Sequence, residues 1–176
     1  MLVFMAILGC KDEVLPKPKA QLRLEYPQAQ LDRLVSDHFE FQYNKMAVVK
    51  DKKGQSVTLD YPLMKGTIFI NYKKVDGNLE KLLRDAQKLS YEHAVKADGI
   101  QEKRFINEAD NVYGMFYNVS GDAASQAQFY ATDSLHHFVT GSLYFFAKPN
   151  YDSIYPAAVY LQNDILTIME TLHWKE

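Results

Sequence analysis

Asp76–Gly99, DGNLEKLLRDAQKLSYEHAVKADG, is the stretch on which the fold is decided, because the apolar period changes there. Leu79, Leu82, Leu83, Ala86, Leu89, His93 and Ala97 recur every three or four residues and so share one face of a helix, predicted over 78–98. Asn78 stands where an N-cap belongs and Gly99 where a helix stops. Glu80 with Arg84 and Lys81 with Asp85 lie one turn apart on the solvent side, pairs that add a few tenths of a kcal/mol each.

Upstream of Asp76 the period is two. Leu22, Leu24 and Tyr26 alternate with polar residues until Pro27, and so do Phe39, Phe41 and Tyr43. After the polar turn Asp51-Lys52-Lys53-Gly54 come Val57, Leu59 and Tyr61, and beyond Pro62 come Ile68, Ile70 and Tyr72, which reads as an antiparallel meander. Downstream, Arg104 to Asn107, Val112 to Tyr117, Gln126 to Thr132 and His136 to Phe146 are four more strand candidates, rich in aromatic and β-branched residues. In the last, His137, Val139, Gly141, Leu143 and Phe145 face one way and Phe138, Thr140, Ser142, Tyr144 and Phe146 the other. Both faces are partly apolar, the mark of a central strand. Asp152-Ser153 opens a second helix over 153–174, with Ala158, Leu161, Ile165, Ile168 and Leu172 in register and Pro156 in its first turn. The expected fold is α+β, a mostly antiparallel sheet of about six to eight strands covered by two long helices.

Composition agrees with one soluble domain. Hydrophobic residues make up 47% of the 176 residues and charged ones 24%, ordinary globular values. With 20 basic and 22 acidic residues the net charge is -2, which supplies no positive field for nucleic acid. Tyr 12 and Phe 10 against a single Trp favour a large sheet.

The only cysteine, Cys10, permits no intrachain disulfide. Leu2 to Leu8 is an apolar run too short for a bilayer span but suited to a signal-peptide core. It ends Ile7-Leu8-Gly9-Cys10, similar to a lipobox, so residues 1–9 read as a leader and Cys10 as the lipidated residue. The bland alternative is a buried strand with an incidental cysteine. No Lys or Arg precedes the run, which places the expected start of the leader upstream of Met1. Lys11 to Lys19, with Pro16 and Pro18, reads as an extended tether, so that 10–20 would link lipid to a single domain over 21–176. Lys11-Asp12-Glu13 also resembles the surface-export triplet of Bacteroidetes lipoproteins; the alternative is a solvated linker.

Chemical motifs are sparse. There is no G-x-S-x-G, P-loop, G-x-G-x-x-G or H-E-x-x-H sequence. His136 and His137 are the tempting pair, but neighbouring strand residues point to opposite faces, so no shared metal is expected. His93 reads as a boundary histidine of the first helix, and His38 and His173 fall near element ends without a signal. Asp133-Ser134-Leu135 and Asp152-Ser153-Ile154 are similar to the Bacteroidetes O-glycosylation motif, making Ser134 and Ser153 candidate acceptors. Capping is the competing reading, preferred for Ser153.

Taken together the chain resembles the gliding motility lipoprotein GldD family of Bacteroidetes. The resemblance rests on Leu15-Pro16-Lys17-Pro18, Leu22-Arg23-Leu24-Glu25-Tyr26-Pro27, Asn78 to Leu89, Tyr91-Glu92-His93, Tyr113-Gly114-Met115-Phe116-Tyr117, Ala123-Ala124-Ser125-Gln126, His137 to Phe145 and Ala147 to Ser153. It implies a lipid-anchored envelope component of gliding and type IX secretion that acts through other envelope proteins. No enzymatic reaction or cofactor follows from it, and the outer membrane is favoured over the inner. The element order is also similar to that of PsbP and Mog1 proteins, an analogy of fold alone. Two expectations of other classes stand beside it. One is a carrier or sensor with an aromatic-lined pocket between helix and sheet. The other is a hydrolase built on His136 or His137, which would show acidic or serine partners around an imidazole.

Overall fold

The structure, a computed structural model, describes residues 24–52, 55–93, 96–146 and 150–175. Cys10, the tether and the leader lie outside the described residues, as do Leu22 and Arg23 of the first strand candidate. Leu24 to Tyr26 form no strand. Their alternation serves a contact instead, because the Tyr26 ring packs 5.2 Å from that of Tyr160.

Among the described residues there are ten strands, two helices and a 3-10 turn. A three-stranded sheet is built from β1 (Leu31–Val35), β2 (Phe39–Asn44) and β10 (His173–Trp174), with β2 in the middle. The larger sheet has seven strands in the order β3-β4-β5-β9-β8-β7-β6. Its members are β3 (Val48–Lys52), β4 (Ser56–Tyr61), β5 (Gly66–Lys74), β6 (Ala97–Asn107), β7 (Val112–Gly121), β8 (Ala127–Thr132) and β9 (His137–Phe145). All described pairings are antiparallel. The chain runs through β3, β4 and β5, leaves over α1 (Leu79–His93), re-enters at the far edge with β6, and returns inward to put β9 beside β5. β9 therefore lies at the centre, as its two apolar faces require.

The two faces of this sheet carry different loads. One packs α2 (Tyr151–Glu170) and the small sheet over Val57, Leu59, Tyr61, Ile68, Ile70, Phe129, Val139 and Leu143, and these join Leu161, Ile165, Ile168, Phe39 and Phe41 in the main core. On the other, α1 rests on Phe138 and Tyr130 through Leu79, Leu82, Leu83 and Ala86, a far smaller cluster. The buried stripe of α1 ends on Ser90, whose hydroxyl lies 3.2 Å from Gln128 Oε1, while Leu89 is exposed. The His93 side chain is outside the described set.

Several boundaries differ from the sequence reading. α1 stops at His93 rather than 98, because Ala97 to Gly99 already pair with Gly121 and Ser120 across an irregular register. Asn78 caps with its backbone, its carbonyl accepting the Lys81 and Leu82 N–H groups, while its side chain turns back to the Asp76 N–H. The ion pair described on α1 is Lys88–Glu92 at 3.6 Å; Glu80–Arg84 and Lys81–Asp85 are not among the described pairs. α2 begins at Tyr151 and ends at Glu170, so Pro156 lies inside the helix and removes one interior hydrogen bond. The residues expected to continue α2 to 174 peel away as β10, where Trp174 pairs with Phe39. β1 and β3 were not expected. Both are edge strands, and solvent on one flank asks little apolar alternation of them.

Candidate functional site

β2 connects two unusual places. At its Asn44 end, Asn44 Nδ2 donates to Asp164 Oδ2 at 3.0 Å and to the Tyr160 hydroxyl at 2.9 Å, and Tyr160 donates to the Pro27 carbonyl at 2.8 Å. Tyr26 and Pro27 are thus clamped onto α2 where the N-terminal segment meets the domain. Asp164 is buried in this network, and burial first, against the bond from Asn44 and the nearby Tyr61 hydroxyl, pushes its carboxyl up. Tyr61 Oη, also buried, stands outside ordinary hydrogen-bond geometry. Burial and then the charge of Asp164 hold Tyr61 protonated. Sequence reading missed this network, although Asp164 interrupts the Leu161, Ile165, Ile168 stripe and so had to face the core.

The Phe39 end lies roughly 17 Å away along the strand. Here four of the five histidines gather. His38 stacks on Tyr72 at 4.3 Å, and His137 stacks on Trp174 at 5.2 Å with the planes 7° apart. His136, His137, His173, Trp174, Lys175, Asp110 and Asp133 line an open cavity of about 380 Å³. Three of the imidazoles are held at Nδ1: His173 by Asp110 at 2.7 Å, His137 by the Tyr72 hydroxyl at 3.0 Å, and His136 more loosely by Asp133 at 3.6 Å. The expectation that His136 and His137 face apart is corrected. His136 belongs to the bend before β9, so strand alternation does not govern it, and the rings meet edge to face at 6.2 Å. His38 and His173, which carried no signal in sequence, complete the cluster only because β10 folds back onto β2.

The loop that shapes this cavity is tied down by one carboxylate. Asp133 Oδ1 accepts the N–H groups of Leu135, His136 and His137 at 3.0, 2.8 and 2.8 Å, and Thr132 Oγ1 accepts that of Ser134. Burial alone would raise the Asp133 pKa, but the three N–H donors and His137 outweigh it and the net direction is down. Ser134 sits at φ 68, a left-handed conformation that costs energy for a residue other than Gly, Asn or Asp, and Leu135 beside it is 70% exposed. His137 is also moved down from its ordinary value. Burial first lowers its pKa, Asp133 opposes, and His136 and His38 lower it further. Tyr72 is held protonated by burial and by Asp133. Both shifts favour the neutral forms, in which the Tyr72 hydroxyl can donate to an unprotonated His137 Nδ1 with the ring proton on Nε2.

As a chemical site this is an imidazole and carboxylate cluster with acidic partners for His136 and His173. The described lining residues include no Ser, Thr or Cys to serve as a nucleophile. Among the described residues no three His, Cys, Asp or Glu side chains are grouped to hold a metal ion. Of the candidate modification residues, Ser134 is exposed on the loop tip, whereas Ser153 lies in the first turn of α2 and donates to the Asn150 carbonyl at 2.9 Å, a local cap-like bond. A second, more apolar groove of about 320 Å³ opens between α1 and β6–β8, floored by Tyr113, Met115 and Tyr130 and flanked by Leu79 and Leu83. It answers to the expected aromatic pocket between helix and sheet, but it is an open groove.

Among the described residues no helix is long and apolar enough to cross a membrane. A search of curated proteins finds no match. The family model described as gliding motility lipoprotein GldD matches residues 11–174, which span the clamp, both sheets, both helices and all of the histidine cavity but Lys175, and the chain belongs to that family.

Proposed function

We propose that the protein is held to an envelope membrane, the outer one in preference to the inner, by acylation of Cys10. Its domain works there as a non-catalytic component of the gliding and type IX secretion machinery through contacts with other envelope proteins. Membership of a motility lipoprotein family supports the anchor and the setting. The observation that carries the contact role is the loop 133–136. An exposed leucine on a backbone fixed by four hydrogen bonds and a strained serine is preorganised for docking, because little conformational entropy remains to be lost. That loop lies at the Phe39 end of β2, remote from the Tyr26–Tyr160 clamp at the Asn44 end. The hydrolase expected on His136 or His137 has an acidic partner at His136, where Asp133 lies 3.6 Å away, but the described lining offers no Ser, Thr or Cys nucleophile.

The experiment is secretion of type IX cargo by a deletion strain of the native bacterium, complemented with the wild-type gene or with Cys10→Ala. Cargo export and motility restored by wild type alone support the anchored component. Unimpaired secretion in the deletion strain removes the machinery role and favours a carrier that uses the groove beside Met115, while membrane fractionation of Cys10→Ala tests the anchor separately.

A further inference from the structure

The C-terminal strap His173–Lys175 is fastened by one ring contact, one imidazole–carboxylate contact and three bonds to backbone carbonyls. Trp174 covers the His137 ring and donates from Nε1 to the Asn111 carbonyl at 3.1 Å. His173 is held by Asp110, and the Lys175 N–H donates to the His38 carbonyl at 2.9 Å. Lys175 Nζ reaches the Ser36 carbonyl at 2.8 Å. As a strand, β10 has only two register pairs, and Trp174 also packs, partly buried, against the edge of the main core.

We propose that this cluster is an acid-sensitive latch: protonation around His137 releases the strap from β2 and uncovers the end of the main core at Phe39 and Leu172.

The argument is linkage. Whatever conformation binds protons more tightly gains population as pH falls. His137 is covered by Trp174 and lies with Nδ1 3.0 Å from the Tyr72 hydroxyl, and an imidazolium can no longer accept a bond there. The groups that face it come from every neighbouring element: Asp133 and His136 from the preceding loop, His38 from the β1–β2 loop, Tyr72 and Lys74 from β5, Asp110 from the β6–β7 turn, and His173 and Lys175 from the strap. Two carboxylates thus stand against four imidazoles and two lysines, so positive charge beyond what Asp110 and Asp133 can pair adds repulsion around His137. The Trp174 face attracts an imidazolium, yet the balance of burial, His136 and His38 against Asp133 still disfavours the charged ring in the closed state. A histidine whose folded pKa is depressed contributes stability above its unfolded value, near 6.5, and that contribution is lost as pH falls through the folded value. The latch is therefore closed at neutral pH and opens on the acid side. Opening removes Trp174, the group that covers His137, and solvates the ring.

Trp174 is the only tryptophan of the chain, so its emission reports the strap directly. The full chain is titrated from about pH 8 to about pH 5, with wild type compared with His137→Gln. The expected result is a shift toward the emission of a solvated indole with a midpoint below about 6.5, an unchanged far-UV spectrum, and no such transition in His137→Gln. Hydrogen exchange of the Lys175 amide should lose about tenfold in protection across the same range while Val139 in β9 keeps its own. This measurement on wild type decides the matter if the variant does not fold. A constant emission, an equal transition in His137→Gln, or loss of far-UV signal at the same midpoint overturns the proposal, the last because the domain rather than the strap would then be opening.

Discussion

The face of the seven-stranded sheet under α2 and the face under α1 are made from the same strands, yet only the first is a full core. Under α2, Leu161 and Ile165 are wholly buried against Val57, Leu59, Ile68 and Leu143. Under α1, Leu82 and Ala86 touch little more than Phe138 and Tyr130, and the sheet runs on past the helix to leave a groove. Apolar stabilisation follows the area removed from water, so the first face holds the domain together while the second has surface to spare for a ligand or partner.

The comparison breaks most easily at its strongest point. Ile165→Ala removes a side chain with no room to collapse around and should cost about 3–4 kcal/mol, whereas Leu82→Ala should cost about 2 kcal/mol, the low end for a leucine. Chemical denaturation of both variants checks this, and equal losses would mean that α1 carries as much of the fold as α2. A smaller effect comes from Asp164, an acid buried inside the stronger core. Because the Asp164 pKa is raised in the fold, its stabilising contribution is complete below the unfolded value of 3.8 and is lost as pH rises through the folded one. Asp164→Asn should therefore raise Tm by about 2–4 °C near neutral pH, and the gain should vanish in acid. A variant that melts lower at pH 7 would show that the bond from Asn44 outweighs the cost of the buried charge. The smallest effect belongs to the far loop. Leu135→Ser should leave stability within about 0.5 kcal/mol of wild type while reducing complementation of cargo secretion; normal complementation would take the loop out of the proposed docking role.

How much of this was legible in the sequence differs along the same line. Alternation located β2, β4, β5, β7, β8 and β9, because strands that bury one or both faces must spell that burial out. β1 and β3 escaped, since Leu-Asp-Arg-Leu-Val and Val-Val-Lys-Asp-Lys belong to sheet edges where solvent tolerates charge. Periodicity found both helices but not their ends: Ala97 to Gly99 fits a helix stripe as well as a strand, and only the partner Gly121 decides between them. At the site, Asp133 and the His136–His137 pair were noticed but wrongly set on opposite faces. His38, Tyr72, Asp110 and His173 had no local pattern to betray them, since they come from four separate elements.

What the sequence determined by itself was class and kinship: an α+β domain with a central aromatic strand, and motifs whose resemblance named the family that the match over residues 11–174 then showed. These are local properties, written in period and in contiguous residues. Only the tertiary structure decided that β10 leaves α2 to pair with β2, that Tyr160 clamps Pro27, and that four histidines share one end of the molecule. Those outcomes depend on contacts between residues far apart in the chain, such as Trp174 with His137 and Asn44 with Asp164, and no local pattern encodes the distance across a folded core.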